Sequence, residues 1–101
     1  MMLITASFVI AGGKTAEAME YLTKVAGHIK SLTGSEYRIL SRLTGAGGHV
    51  VLSTTHENAA AWEAARMKIY GDATWQKMTA DAGTAGLFAP GSIELALWQE
   101  S

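Results

Sequence analysis

The sequence contains no cysteine and a single proline among its 101 residues, and only 17% of them are charged. Without cysteine there is no disulfide framework, no thiolate nucleophile and no cysteine-ligated zinc or iron–sulfur site. Any chemistry is left to histidine, carboxylates, hydroxyls, aromatic rings or a borrowed cofactor. Charge is also balanced, with eight Lys and Arg against nine Asp and Glu and no run of either sign. No nucleic-acid partner is expected, because phosphate binding demands a concentrated basic surface. Long hydrophobic runs are missing too. Met1 to Ala11 is apolar but falls short of the roughly 18 residues of a membrane span, with no Lys or Arg ahead of it. It reads as a strand, and the protein as cytoplasmic with no membrane partner.

What is present is 49% hydrophobic residues and eleven glycines, enough for one core and one domain spanning residues 1–101. Residues 2–11 are β-branched and apolar and stop at Gly12-Gly13, a first strand. From Thr15 to Thr33, Ala18, Leu22, Val25, Ile29 and Leu32 recur every three or four residues, the stripe of an amphipathic helix that Gly34 ends. Residues 36–44 alternate around Tyr37, Ile39 and Leu43. A Gly-rich turn through Gly48 then leads into a third strand over 49–54, giving a hairpin. Thr54 and Glu57 have the spacing of a capping box before a helix carrying Trp62, Ala65 and Ile69. Gly71 interrupts that helix, and Asp72 can cap a continuation carrying Trp75, Met78 and Ala82. After Gly83, Gly86 and Pro90-Gly91, residues 92–99 alternate around Ile93, Leu95 and Leu97, a fourth strand. The order β-α-β-β-α-β predicts an α+β, ferredoxin-like domain with a four-stranded antiparallel sheet.

Both helices of such a domain cover one sheet face, so each strand sends one alternating set of side chains toward them. The more apolar sets are Ile4, Ala6, Phe8 and Ile10; Tyr37, Ile39 and Leu43; Val50 and Leu52; and Ile93, Leu95 and Leu97. The other face then carries Leu3, Thr5, Ser7 and Val9; Glu36, Arg38, Leu40 and Arg42; His49, Val51 and Ser53; and Glu94, Ala96 and Trp98. That surface mixes apolar groups with hydroxyls, an imidazole and charges, and would leave an apolar patch on a monomer. A second copy placed sheet to sheet would cover it and could enclose a cavity with polar walls, so a homodimer is expected.

Trp62-Glu63, followed by Asp72-Ala73-Thr74-Trp75-Gln76 and an Ala-rich turn, resembles the broken second helix of NIPSNAP-like proteins. With the element order, the chain is similar to the dimeric α/β-barrel superfamily, whose small members include the antibiotic-biosynthesis monooxygenase-like proteins. The resemblance implies a homodimeric α/β barrel that often binds a flat hydrophobic molecule. The activities it implies range from cofactor-free oxygenation to haem degradation, isomerisation and no established reaction. In the cofactor-free monooxygenase branch an Asn and a Trp on the second helix bind substrate and stabilise its anion. Asn58 and Trp62 stand one turn apart and match those types, an amide and an indole N–H that would favour a phenolate. The plainer alternative makes Asn58 a helix cap and Trp62 core. The haem-degrading branch fits less well, since strand one offers Ser7 where that pattern has Asn, and no His follows Trp62.

His49, on the mixed face near Ser53, is a candidate base for a phenolic proton, and a solvated hairpin histidine otherwise. Arg38 and Arg42 could hold a carboxylate or phenolate, or pair with Glu36 or Glu94. Ser7, Trp75 and Trp98 complete the candidate ligand-binding set, the two rings being equally suited to an interface. Three scattered histidines make no metal signature, and no metal or other cofactor is expected. Gly12-Gly13-Lys14-Thr15 is no phosphate loop, because Phe8 stands where that motif requires glycine. Two readings emerge. One is a homodimer binding a small aromatic or apolar molecule and oxidising it without a cofactor. The alternative is a non-catalytic dimeric NIPSNAP-like interaction module without a small-molecule site.

Overall fold

The elements run β1 (Met2–Val9), α1 (Thr15–Thr33), β2 (Arg38–Ser41), β3 (His49–His56), α2 (Ala59–Tyr70), α3 (Ala73–Ala85) and β4 (Glu94–Gln99). They come from a computed structural model that describes residues 1–42 and 47–99. The sheet order is β2-β3-β1-β4, with every neighbouring pair antiparallel. This is the expected ferredoxin-like arrangement, its second helix broken in two.

Helix α1 forms where the sequence pattern places it. Ala18, Leu22, Val25 and Ile29 are its buried residues, and Gly34 closes it in the left-handed region at φ 78°, its N–H bonded to the Lys30 carbonyl. Leu22 and Ile4 are the largest fully buried side chains, each contributing about 1.5–3 kcal/mol by leaving water. Helix α2 starts later than the Thr54/Glu57 spacing suggests. Thr54 alternates with Val50 and Leu52 on the buried side of β3, and its hydroxyl donates to the Glu36 carbonyl at 2.7 Å. The strand therefore continues to His56, and Asn58 caps the helix, its Oδ1 accepting the Ala61 N–H at 2.9 Å.

Gly71 separates α2 from α3, and a Cβ there would stand 3.2 Å from the Met67 carbonyl oxygen. Asp72 caps α3 as expected, accepting the Trp75 N–H at 2.7 Å. The helix runs through Gly83 and ends at Gly86, which is left-handed at φ 64°. Phe88 then bridges Ile10 and packs on the Phe8 ring with centroids 4.9 Å apart, closing one end of the core.

The register puts Ile4, Ala6 and Phe8 opposite Thr54, Leu52 and Val50, and Ile39 opposite Leu52, all on the helix side. Leu43, expected on the same side, lies outside the described residues, as does the first half of the Gly-rich turn. Strand β4 departs from expectation. Leu95 and Leu97 share the helix side, opposite Ala6 and Ile4, yet each is 46% exposed, and Ile93 ahead of the strand is more so. The cause is lateral. Helix α1 packs against β2 and α2 against β3, while β4 is an edge strand packed on β1.

Candidate functional site

The face turned away from the helices is a grid fixed by strand register. One row runs Arg38, Ser53, Thr5, Ala96 from β2 to β4. The next runs Leu40, Val51, Ser7, Glu94. Leu3 and Trp98 stand side by side at one end, and Val9 and His49 at the other. The residues assigned to this face that lie within the strands fall on it, whereas Arg42 lies just past β2 and Glu36, ahead of β2, reaches Lys30 of α1 at 2.7 Å. The face is part apolar, part hydroxylated: Leu40 is 52% exposed, Leu3 39% and Trp98 58%, with Thr5 and Ser7 half-buried and Ser53 buried. Trp98 Nε1 donates to Thr5 Oγ1 at 3.1 Å, which fixes the indole across the strand boundary. Met1, Leu3, Thr55, Trp98 and Gln99 border an open depression of about 270 Å³ there.

Four candidates from the sequence, Ser7, Arg38, His49 and Trp98, therefore share this surface. His49 is half-buried and lies diagonally from Ser7, a relation that in antiparallel sheets sets the two residues about 7–8 Å apart. The charges are arranged otherwise than as simple cross-strand pairs. Glu94 opposes Ser7 on β4, whereas Arg38 opposes Ser53 from β2 at the far edge. Glu36 is held below the usual carboxylate range chiefly by its 2.7 Å bond to Lys30, with Arg38 the smallest influence.

The other three candidates, Asn58, Trp62 and Trp75, belong to the helical layer. Asn58 is engaged as a helix cap. Trp62 is 7% exposed, its ring 5.7 Å from that of His56. Trp75 is half-buried and stacks on Tyr70 at 5.2 Å, with the Arg66 guanidinium over the Tyr70 ring at 5.5 Å. A single chain thus brings together four of the seven and holds the rest behind the sheet. His28, which no candidate set included, meets Asp72 at 2.6 Å, joining α1 to the start of α3. That bond, then the Trp75 N–H, keeps the Asp72 carboxyl below its ordinary range. A spacing of 44 residues gives no local signal for it. Tyr37 is pushed up to about 12, first by burial and then by nearby Tyr70.

Among the described residues no three His, Asp or Glu side chains converge as a metal cluster would require. No helix among them is long and apolar enough to cross a membrane. A second open groove, about 410 Å³, lies between α1 and α3, floored by Tyr21, Met78 and Leu87.

No family model matches the sequence, and no curated protein matches it. Solved structures do match in shape. An uncharacterised NIPSNAP domain protein from Burkholderia xenovorans superposes with a TM-score of 0.81 at 17% identity, covering 100% of this chain and 95% of its own. A NIPSNAP family protein from Agrobacterium tumefaciens gives 0.80 at 17% identity, covering 99% and 85%. The chain has their fold. A candidate antibiotic biosynthesis monooxygenase from Deinococcus radiodurans follows at 0.73 and 11% identity, covering 100% and 93%. The likeness to both groups expected from the sequence therefore holds at the level of fold, and chemistry must be argued from side chains.

Proposed function

We propose that the protein works as a homodimer whose open sheet faces meet and hold a small aromatic or otherwise apolar molecule between them. The observation that carries this is the composition of the face. Leu3, Leu40, Val51 and Trp98 supply apolar walls, while Thr5, Ser7, Ser53, Arg38 and His49 supply a few converging polar groups, the usual make-up of a ligand cavity. In one chain this surface is an open shelf, and a second copy would turn it into an enclosure. His49 would take a proton from a bound phenol, and Ser7 and Arg38 would hold the resulting oxyanion, the preparation that cofactor-independent oxygenation of an electron-rich ring requires.

A second reading is favoured by the helical layer. Asn58 is engaged as a cap and Trp62 is core, so the amide and indole that the resemblance would place at a substrate are both occupied structurally. On that reading the mixed face is interface throughout and the protein is a non-catalytic dimeric module. Native mass spectrometry of protein purified from its own source separates the two. A dimer retaining a small organic molecule, followed by oxygen uptake when that molecule is supplied, supports the binding enzyme. A dimer that never carries or shifts with an aromatic ligand supports the module, and a monomer overturns both.

A further inference from the structure

On the helical side of the molecule, away from the open face, α1 and α3 run beside each other without closing the space between them. Glu17, Glu20, Tyr21 and Lys24 border that space from α1, and Met78, Asp81, Ala82 and Ala85 border it from α3. Within each set the spacings are three and four residues, so each lies on one helical face. Each set also spans two turns, about 10 Å of helix. The result is the groove of about 410 Å³, a size that takes small organic molecules. Alanine at 82 and 85 leaves it wide, and Leu87, 5% exposed, closes the bottom.

Floor and rim differ in character. Tyr21, Met78 and Leu87 make the floor apolar, with Tyr21 half-buried and in edge contact with Phe88, centroids 5.8 Å apart. Among the described residues the Tyr21 hydroxyl has no hydrogen-bond partner. The rim is acidic, with Glu17 and Glu20 on one lip and Asp81 on the other, against Lys24 alone. The lining therefore carries a formal charge of −2, although the whole chain carries only −1. Each carboxylate pairs with a lysine of its own helix, Glu17 with Lys14, Glu20 with Lys24 and Asp81 with Lys77, and Lys14 and Lys77 stand outside the lining. All three pairs are solvent-exposed and contribute little, so a carboxylate can exchange its lysine for another cation.

We propose that this groove binds a small organic cation, an aromatic ring carrying a protonated amine. The ring lies on Tyr21, Met78 and Leu87, where a phenol ring and a thioether both favour an aromatic guest. The ammonium sits at the rim, where carboxylates face it from both helices and form charge-assisted hydrogen bonds. An aromatic carboxylate of the same shape meets the same floor but a repulsive rim, so the groove selects by charge. The site is separate from the open sheet face, and its occupancy does not depend on the association of two chains.

Three indoles of similar size and different charge test it: tryptamine, the neutral alcohol tryptophol and indole-3-acetate. Titrations of the full chain are read from carbon–proton correlation spectra of its methionine and alanine methyl groups. Tryptamine should shift Met78 and Ala85 together and saturably, while Met67, 67% exposed on α2, stays in place. Tryptophol should bind about fivefold more weakly, and indole-3-acetate more weakly still, because two or three exposed charge contacts are worth about that factor. The gap between tryptamine and tryptophol should close in about 0.5 M salt. Glu20→Gln/Asp81→Asn should bring tryptamine down to the affinity of tryptophol with circular dichroism unchanged. Ala85→Leu, which fills the groove from an exposed position, should weaken both ligands. Equal affinity for the three indoles, shifts that spread to Met67, an unaffected double variant, or no response at millimolar concentrations would overturn the proposal. So would a response confined to an amphipathic Leu/Lys helical peptide titrated in parallel, which would assign the groove to a protein partner.

Discussion

The indole N–H of Trp98 reaches from the edge strand to the hydroxyl of Thr5 on the central strand, 3.1 Å away, on a face that no helix covers. Large aromatics are enriched at interfaces and among their energetically dominant residues, and this ring is held in place by its own N–H while 58% exposed. Replacing Trp98 by Ala should therefore act on association rather than on the fold. In the isolated protomer the loss should stay near 0.5 kcal/mol, as at other exposed positions. Association of the proposed homodimer should weaken by about 2 kcal/mol or more, roughly thirtyfold. Thermal melts at high dilution and equilibrium sedimentation at high concentration read the two quantities separately.

Trp62 behaves in the opposite way. It is 7% exposed and packs on His56 from α2, so Trp62→Ala should cost about 3–5 kcal/mol. For a domain of this size that corresponds to a fall of more than about 10 °C in Tm. Retention of the wild-type melting temperature, with loss of ligand binding, would instead move Trp62 into the site.

Asn58 offers a cleaner separation of cap from site. Asn58→Ala removes the acceptor for the Ala61 N–H and should cost about 1 kcal/mol, whereas Asn58→Ser keeps a capping oxygen and should cost little. Equal ligand affinity in wild type and Asn58→Ser confines the residue to capping. A selective loss of affinity in Asn58→Ser, at unchanged stability, gives the amide a second role.

The carboxyl of Asp72, held low by His28 and the Trp75 N–H, links stability to acid. Its folded value lies below its unfolded one, so its contribution is complete above the unfolded value near pH 4 and is lost as pH falls through the folded value. Asp72→Asn preserves a cap while removing the charge. Wild type should be the more stable of the two at pH 7, and the difference in Tm should shrink steadily as the pH drops below about 4. A constant difference down to about pH 2 would show that the Asp72 charge, with its bonds to His28 and the Trp75 N–H, contributes nothing to stability.

The sequence displayed some parts of this architecture and hid others for physical reasons. The boundaries of α1 and the cap at Asp72 were readable because both are set within a few residues of chain. The face assignments of Leu3, Thr5, Ser7 and their neighbours followed from strand alternation, which survives shifts in strand ends. Thr54 misled because one hydroxyl spacing fits both a cap and a strand, and only the distant Glu36 carbonyl chooses between them. Leu95 and Leu97 pointed to the correct side, but whether a helix lies over them depends on sheet order, which no local pattern encodes. For the same reason Glu94 looked able to neutralise Arg38 until the strand order put them at opposite edges.

The pairing of Met2 with Gln99 joins segments that are nearly a full chain length apart. Strand β1 sits between β3 and β4, so the centre of the sheet has one ladder unfilled until the last strand has been synthesised. Such non-local closure delays folding, because the entropy of a long loop must be overcome before the pairing rewards it. While a chain is being made, the apolar first strand waits with a bare edge, the interval in which misassembly competes with folding.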